Sequence, residues 1–209
     1  MSKKTRIYLV RHGSTSLNKQ NIFQGSTDAH LDPEGKGQAV DLKDYIVEKG
    51  LEFDAIYTSK LVRTQETAAP LAEALGIEPQ VLEGVEELDG GDLEGKSLRE
   101  PRTGKVKEYF DISRSKPGLV ECPNGESGQD VYIRAVTAFE EIVDKHEGES
   151  VIIFTHGFVL MMLLGYFYEE DLADIPYRVS PNTAVTYVEI DEDNNLELIL
   201  ERRANHLND

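Results

Sequence analysis

Near its N-terminus the chain reads Ile7-Tyr8-Leu9-Val10-Arg11-His12-Gly13, and the predicted fold is built outward from this segment. Its four apolar residues predict a short buried strand, and the polar residues that follow predict a loop. In open α/β sheets, ligands bind beyond the carboxyl ends of the strands, so a side chain placed there meets ligand rather than core. We therefore expect His12 to take part in chemistry. The alternative is a core histidine with satisfied hydrogen bonds.

The same pattern returns later in the chain, where Val151-Ile152-Ile153-Phe154 runs into Thr155-His156-Gly157. A third apolar run, at residues 53–57, ends in Thr58-Ser59, and Arg63 lies one turn into the helix predicted after it. The carboxyl ends of parallel strands lie at the same edge of a sheet. We therefore predict that His12, His156 and Arg63 meet at that edge.

Strands and helices alternate along the chain. The pattern predicts helices at about 35–49, from Ser59 to Gly76, from Ser127 to His146 and at about 157–167, with further strands at about 80–82, 183–190 and 196–200. Ser59 is suited to cap the second helix, and Pro70 either kinks that helix or starts a new one. The expected fold class is α/β: a three-layer sandwich with a mostly parallel central sheet, helices on both faces and a final antiparallel hairpin.

Composition limits the classes of protein to consider. The chain has 209 residues, 39% hydrophobic and 29% charged, which favours one domain over residues 1–209. A single cysteine, Cys122, excludes an intramolecular disulfide and multi-cysteine metal sites, and no signal peptide or membrane span is evident, so we expect a cytoplasmic protein. The formal net charge of −17 argues against nucleic acid and anionic lipid as partners.

The predicted edge of the sheet has the chemistry of an anion site. Arg11 and Arg63 keep their charge at all relevant pH values, and two imidazoles and a helix N-terminus join them. A phosphomonoester carries about −1.5 to −2 charges near neutral pH, which such a site matches. Phosphate is the ligand that this composition favours.

Other candidates have weaker support. Glu87 lies in an acidic, glycine-rich run in which Glu83, Glu86 and Glu94 are equally acidic, so a solvated loop is the alternative for each. His30, His146 and His206 lack a strand end and are interpreted as surface residues. Residues 96–125 form a possible substrate-covering insertion. Their basic residues are interpreted as a solvated surface in preference to a lid; these are Arg99, Arg102, Lys105 and Lys107.

The chain resembles the histidine phosphatase superfamily, in its phosphoglycerate mutase-like branch, from about residue 6 to residue 188. The motifs that carry the resemblance are Arg11-His12-Gly13 with Thr15 and Asn18, Gln24-Gly25, Leu31 with Gly35 and Gln38, Ser59 to Thr64 with Thr67-Ala68, Glu87 with Gly91 to Gly95, Gly125-Glu126-Ser127 and Thr155-His156-Gly157. The ordered set is far more specific than Arg-His-Gly alone.

The resemblance implies roles for these positions. His12 matches the nucleophile that becomes phosphohistidine, Arg11 and Arg63 match phosphate-binding arginines, and His156 matches the second histidine of the phosphate pocket. Glu87 matches the general acid. Asn18 resembles the polar residue that contacts the transferred phosphoryl group, and Gln24-Gly25 resembles the segment on the substrate side.

The implied activity is metal-independent hydrolysis of a small phosphorylated metabolite, with no cofactor. The segment around Glu87 looks like the phosphatase version of the family rather than the mutase version. Gly90 and Leu93 depart from the bulky apolar residue and the tryptophan common at these positions, which affects the substrate pocket and not the core chemistry. A phosphoglycerate mutase is the main alternative, and a noncatalytic binding module is a remote one, because such modules tend to lose His12 or Glu87.

Overall fold

The computed structural model describes residues 4–99 and 103–204. The strands are β1 (Thr5–Arg11), β2 (Ala55–Thr58), β3 (Gln80–Val81), β4 (Ser150–Thr155), β5 (Val185–Ile190) and β6 (Leu196–Arg203). The helices are α1 (Ser16–Gln20), α2 (Pro33–Glu48), α3 (Val62–Leu75), α4 (Gly104–Ser115), α5 (Gly128–Lys145) and α6 (Gly157–Phe167). Within the described ranges, no helix combines the length and apolar character needed to cross a membrane.

The described strands form a mixed sheet in the order β3-β2-β4-β1-β5-β6. The pairs β3–β2, β2–β4 and β4–β1 are parallel, whereas β5 and β6 add antiparallel pairs at one side. Side chains alternate across β1, so that Ile7 and Leu9 pack with α5 and α6 while Val10 packs with α2 and α3. The predicted α/β sandwich with helices on both faces is thereby confirmed.

Some local predictions are wrong in detail. Ser59 does not cap α3: the N-cap residue is Leu61, whose side chain has no polar atom to accept a hydrogen bond. The Ser59 hydroxyl lies two residues earlier and bonds to Leu61 N and to the His156 ring. Pro70 lies inside one helix that runs to Leu75, so it does not start a new helix. The predicted end at Gly76 is confirmed, and its φ of 67° is left-handed. The sequence predicts His146 at the surface, but this residue is only 8% exposed. Its burial is tolerated because the Tyr57 hydroxyl and Glu149 form hydrogen bonds with its two ring nitrogens.

Candidate active site

The parallel pairing of β1 and β4 brings the two histidines together. Arg11 lies opposite Thr155 in the register, so the residues that follow, His12 and His156, are neighbours at the carboxyl edge. Their ring centroids are 5.3 Å apart, and the residues are 2% and 0% exposed. The sequence-based prediction that these strand ends meet is therefore confirmed, and β2 brings Ser59 to the same edge.

His12 has one ring nitrogen free for reaction. Its Nδ1 lies 2.7 Å from the backbone oxygen of Gly13. A carbonyl oxygen only accepts hydrogen bonds, so Nδ1 carries the proton and the lone pair of the neutral ring is on Nε2. The backbone is held equally firmly, because the Asn182 amide donates to the His12 carbonyl at 2.9 Å and Gly13 N donates to Thr67 Oγ1 at 2.9 Å.

The surroundings of His12 keep its ring neutral. Burial, together with the positive charges of Arg11 and Arg63, lowers the pKa of His12 well below the usual 6.5. A neutral imidazole is the nucleophilic form, so the ring is ready to react without first losing a proton. The two positive charges that suit an anionic ligand thus also help to keep the His12 ring neutral.

His156 holds Arg63 in place. Arg63 Nε donates to His156 Nδ1 at 3.2 Å, which makes Nδ1 an acceptor and leaves Nε2–H to donate to Ser59 Oγ at 2.8 Å. Burial and the charge of Arg63 lower the pKa of His156 well below 6.5, in agreement with a neutral ring. Both nitrogens are thus engaged, and a direct contact between His156 and a phosphoryl oxygen stays a prediction.

Arg63 is fully buried and joins α3 to the first long loop. Its Nη1 donates to the Thr27 carbonyl and its Nη2 to the Gly25 carbonyl, each at 2.8 Å. A guanidinium has five N–H groups, so two remain for a ligand. Gly25 is required here, because its φ is 52° and a Cβ would lie 2.2 Å from Glu94 Oε1.

Glu94 secures the same loop from the other side. Its carboxylate accepts hydrogen bonds from Ser26 N, Ser26 Oγ and Thr27 Oγ1 at 2.6, 2.8 and 2.7 Å. Burial alone would raise the pKa of Glu94, but the hydrogen bonds from Thr27 and Ser26 lower it, so it stays ionised. Gln24 is also buried and accepts from Thr15 Oγ1. A substrate contact by Gln24 or Gly25 stays a prediction.

Arg11 reaches the site from the end of β1. Its Nη1 donates to the Ser180 carbonyl at 2.6 Å, while its Nε is buried without a hydrogen-bond partner. Burial lowers the pKa of Arg11, and the negative charge of Glu87 partly offsets this. Arginine keeps its proton in proteins, so Arg11 offers a positive donor with one buried N–H still to be satisfied.

Glu87 lies at the N-terminus of α6. Its carboxylate accepts from Leu88 N at 3.0 Å and from Phe158 N at 3.2 Å. A Cβ built on Gly157 would lie 3.4 Å from Arg11 Nε and 3.9 Å from Glu87 Oε2, so these two side chains flank one backbone position. Glu87 is therefore close to the predicted phosphate-binding group.

The neighbouring acids of Glu87 face other partners. Glu86 accepts from Gly84 N at 2.8 Å and lies within 4.0 Å of Arg134 and Lys60. Glu83 is exposed, and Glu94 holds the loop described above. Among the four glutamates of this run, Glu87 is the one beside Arg11.

Asn18 belongs to the start of α1. Its Oδ1 accepts from Thr15 N at 3.1 Å, as the second half of a capping box. The carboxamide oxygen of Asn18 is therefore already hydrogen-bonded, which leaves the NH₂ group of Asn18 to donate to a ligand.

The insertion at residues 96–125 approaches the site through residues that the sequence did not single out. Helix α4 supplies Tyr109, Phe110, Ser113 and Arg114 to the wall of a cavity beside Arg11. Of the basic cluster predicted from the sequence, Lys107 is exposed and pairs with Asp111, Arg99 is exposed, and Arg102 lies outside the described residues. The surface interpretation therefore fits Lys107 and Arg99, while the aromatic face of α4 points inward.

Comparison with known proteins decides the family. The histidine phosphatase superfamily (branch 1) matches residues 7–201. The chain belongs to this superfamily. The resemblance seen in the sequence is thereby confirmed, and the strand-end histidines lie within the matched range.

Relatives in this family carry more than one activity. A 2,3-bisphosphoglycerate-dependent phosphoglycerate mutase from Parvibaculum lavamentivorans is 34% identical over 95% of this chain and 98% of its own. A metal-independent phosphoserine phosphatase from Arabidopsis thaliana is 34% identical over 76% of this chain and 67% of its own. Among solved structures, Bacillus stearothermophilus YhfR has a TM-score of 0.89 and 34% identity, covering 97% of this chain and 99% of that one.

The hydrogen bonds of Arg63 predict that lysine cannot replace it. A single ammonium group lacks the planar fork that reaches Gly25, Thr27 and His156 together and still has two N–H groups left for a ligand. We expect Arg63→Lys to lower kcat/KM by roughly one to three orders of magnitude, or about 1.4 to 4 kcal/mol. Arg6→Lys, at an exposed position on β1, is the matched control. Wild-type kinetics in Arg63→Lys would remove Arg63 from the site.

The lowered pKa values of His12 and His156 predict a pH dependence of stability. Below about pH 6.5 the unfolded chain binds protons at these positions and the folded chain does not, so acid favours unfolding. The free energy of unfolding should be independent of both groups above that pH. Below about pH 6.5, each histidine should lower the free energy of unfolding by up to about 1.4 kcal/mol per pH unit.

Urea denaturation between pH 7.5 and 5.5 measures this slope. His156→Asn should reduce the slope, whereas His30→Asn, at an exposed side chain, should leave it as in the wild type. A slope that is the same in His156→Asn and in the wild type would show that His156 does not titrate below its unfolded value.

Proposed function

We propose that this protein is a metal-independent phosphomonoester hydrolase that acts on a small phosphorylated metabolite through a phosphohistidine at His12. The observation that carries the proposal is the free Nε2 of a buried, neutral His12, beside the charges of Arg11 and Arg63. A nucleophile and the cations for its anionic target are thus held together before any substrate arrives. The metal-independent phosphoserine phosphatase among the relatives supports the same chemistry.

The first half of the reaction transfers the phosphoryl group to the protein. Arg11 and Arg63 bind the non-bridging oxygens, and the His12 Nε2 lone pair forms the new bond to phosphorus as the ester P–O bond breaks. Protonated Glu87 gives its proton to the departing alkoxide, which leaves as a neutral alcohol. Together, Arg11 and Arg63 supply part of the charge neutralisation that a metal ion provides in other phosphoryl-transfer enzymes.

The second half returns the protein to its starting state. Glu87, now a carboxylate, removes a proton from a water molecule as the water oxygen attacks phosphorus and the N–P bond breaks. Inorganic phosphate leaves, Glu87 is protonated again and His12 Nε2 regains its lone pair.

A mutase is the second candidate, because a phosphoglycerate mutase is 34% identical over nearly the whole chain. Both activities share the phosphohistidine and differ in the acceptor of the second step, which is water in a phosphatase and a phosphoglycerate in a mutase. The fate of the phosphoryl group therefore separates them.

Product analysis with 3-phosphoglycerate, with and without 2,3-bisphosphoglycerate, tests the choice. We expect release of inorganic phosphate to exceed formation of 2-phosphoglycerate under both conditions, and a panel of other phosphomonoesters to be hydrolysed as well. Rapid isomer formation that depends on the bisphosphate, without release of phosphate, would instead identify a mutase.

Metal independence is tested in the same assay. We expect EDTA at millimolar concentration to leave the rate of phosphate release unchanged, because Arg11 and Arg63 neutralise the transferred group. Loss of activity in EDTA, restored by a divalent cation, would contradict this mechanism.

A further inference from the structure

A cavity of about 220 Å³ opens beside the proposed phosphoryl site. Most of its wall is apolar or aromatic, with contributions from the loop before α2, from α4, from α6 and from the loop that precedes β5. The largest of these side chains are Phe23, Tyr109, Phe110, Phe158, Met161 and Tyr177. Tyr109 and Phe110 meet edge to face at 4.9 Å, and Phe23 approaches Tyr109 at 5.8 Å.

The cavity is continuous with the proposed site. Arg11 and Gly157 form part of its wall, and Gly157 is the backbone position flanked by Arg11 Nε and Glu87 Oε2. A leaving group that takes its proton from Glu87 therefore has its ester oxygen at the inner end of the cavity. The rest of the alcohol extends along the apolar wall.

Two unsatisfied polar atoms mark this inner end. In the described part of the chain, the buried side-chain nitrogen and oxygen atoms without a hydrogen-bond partner are Arg11 Nε and Ser180 Oγ. Both residues line the cavity, and Ser180 is only 2% exposed. Buried polar atoms are nearly always hydrogen-bonded in native proteins, so this pair points to a ligand with its polar group there.

The charges around the cavity disfavour a second anionic group on the substrate. Arg178 is held by both carboxylate oxygens of Glu170, at 2.7 and 2.6 Å, so its charge is already neutralised. Arg114 is exposed, where an ion pair gains little. A carboxylate drawn into the apolar part would lose its hydration without a buried cation to replace it.

Size and shape favour one ring. An apolar cavity of about 150 Å³ is large enough for benzene, so the volume here accepts an aromatic or alicyclic ring with a short linker. The edge-to-face cluster of Phe23, Tyr109 and Phe110 offers the geometry in which aromatic rings attract one another.

We propose that this cavity binds the alcohol part of the substrate, and that the preferred substrates are phosphomonoesters of apolar, ring-bearing alcohols rather than of carboxylate-bearing alcohols such as glycerate or serine. This inference rests on the proposed phosphatase function and narrows its substrate class.

Primary alkyl phosphates test the inference without the bias of a better leaving group. We compare 2-phenylethyl phosphate, ethyl phosphate, phosphoserine and 3-phosphoglycerate, all esters of primary alcohols. We expect kcat/KM for 2-phenylethyl phosphate to exceed that for ethyl phosphate by about 30-fold or more, because the ring is transferred from water to an apolar wall. The two carboxylate-bearing esters should be no better than ethyl phosphate.

Variants connect the selectivity to the cavity. Met161→Gln places an amide in the wall and should lower the 2-phenylethyl to ethyl ratio of kcat/KM by about tenfold. Because Met161 is buried, Val179→Ser provides a second test at a cavity residue that is 56% exposed, with an expected decrease of about threefold. Val81→Ser, at a 55% exposed position on β3 outside this wall, is the matched control and should leave the ratio unchanged.

The outcomes separate this inference from the function on which it rests. Hydrolysis of all four esters with equal kcat/KM, or a clear preference for phosphoserine or 3-phosphoglycerate, would overturn the substrate class and leave the phosphatase in place. A selectivity unaffected by both cavity variants would also overturn it. Failure to hydrolyse any ester, with no phosphate on His12, would contradict the phosphatase itself.

Discussion

Replacing His12 by alanine is expected to lower kcat for phosphomonoester hydrolysis by at least about 10⁴-fold, as loss of a covalent nucleophile does in other enzymes. The reason lies in the structure of the site. His12 lies beside the charges of Arg11 and Arg63, and its Nδ1 is committed to the Gly13 carbonyl, which leaves Nε2 to react. Without the His12 imidazole, water would have to attack the phosphorus of the substrate directly.

The control for this variant is His30→Ala. His30 is exposed and paired with Glu66, so its removal should leave kcat within about twofold of the wild type. Circular dichroism spectra of both variants establish that the fold is intact. Near wild-type turnover by folded His12→Ala protein would mean that phosphoryl transfer does not pass through this residue.

Replacing Glu87 by glutamine should have the second largest effect, and the effect should depend on the substrate. An alkoxide is a poor leaving group, so its protonation by a general acid contributes about 10² to 10⁴-fold. p-Nitrophenolate leaves readily without a proton. Glu87→Gln should therefore slow the hydrolysis of alkyl phosphates far more than that of p-nitrophenyl phosphate, while transfer to His12 limits the rate.

Glu86→Gln is the matched control, because its carboxylate accepts from Gly84 N and faces Arg134 and Lys60 instead of the site. Single-turnover measurements isolate the first transfer if hydrolysis of the phosphohistidine limits the steady state. Equal losses on both substrates in single turnover would remove Glu87 from the role of general acid. The same contrast in Glu86→Gln would transfer the role to its neighbour.

Much of the site could be predicted from local sequence because short buried strands run directly into the functional residues. The apolar runs before Arg11-His12-Gly13 and Thr155-His156-Gly157 predict strands β1 and β4, and parallel pairing then fixes the neighbourhood of the two histidines. The helix boundaries at Ser127 and Gly76 were also predictable, since a capping box and a left-handed glycine are local signals.

The remaining features depend on contacts between distant segments. The Ser59 hydroxyl resembles a helix cap in sequence, but bonds to His156, which lies 97 positions away. Asn182 donates a hydrogen bond to the carbonyl of His12, which lies 170 positions earlier in the chain. In the sequence, Asn182 is only a polar residue in a turn before β5, which does not indicate this contact. The burial of His146 similarly needs Tyr57 on another element. The hydrophobic periodicity of a sequence does not indicate hydrogen bonds between residues so far apart in the chain.

Helix α4 shows the same limit for the substrate pocket. Its charged residues dominate the sequence and suggest a solvated surface, whereas its aromatic residues Tyr109 and Phe110 form the cavity wall. Which face of a short helix points inward depends on the loop that it covers, and here Phe23 in the first long loop provides the contact.

In the proposed mechanism, His12 carries the phosphoryl group between the two half-reactions. Rapid quenching of the protein with a phosphomonoester under alkaline conditions, followed by peptide mass spectrometry, measures this directly. We predict a single phosphate, stable in alkali and labile in acid, on Nε2 of His12, formed by the wild type and by Glu87→Gln with p-nitrophenyl phosphate and absent from His12→Ala. Phosphate on another residue, or substrate turnover without any phosphorylated protein in single-turnover experiments, would contradict a phosphohistidine mechanism at His12.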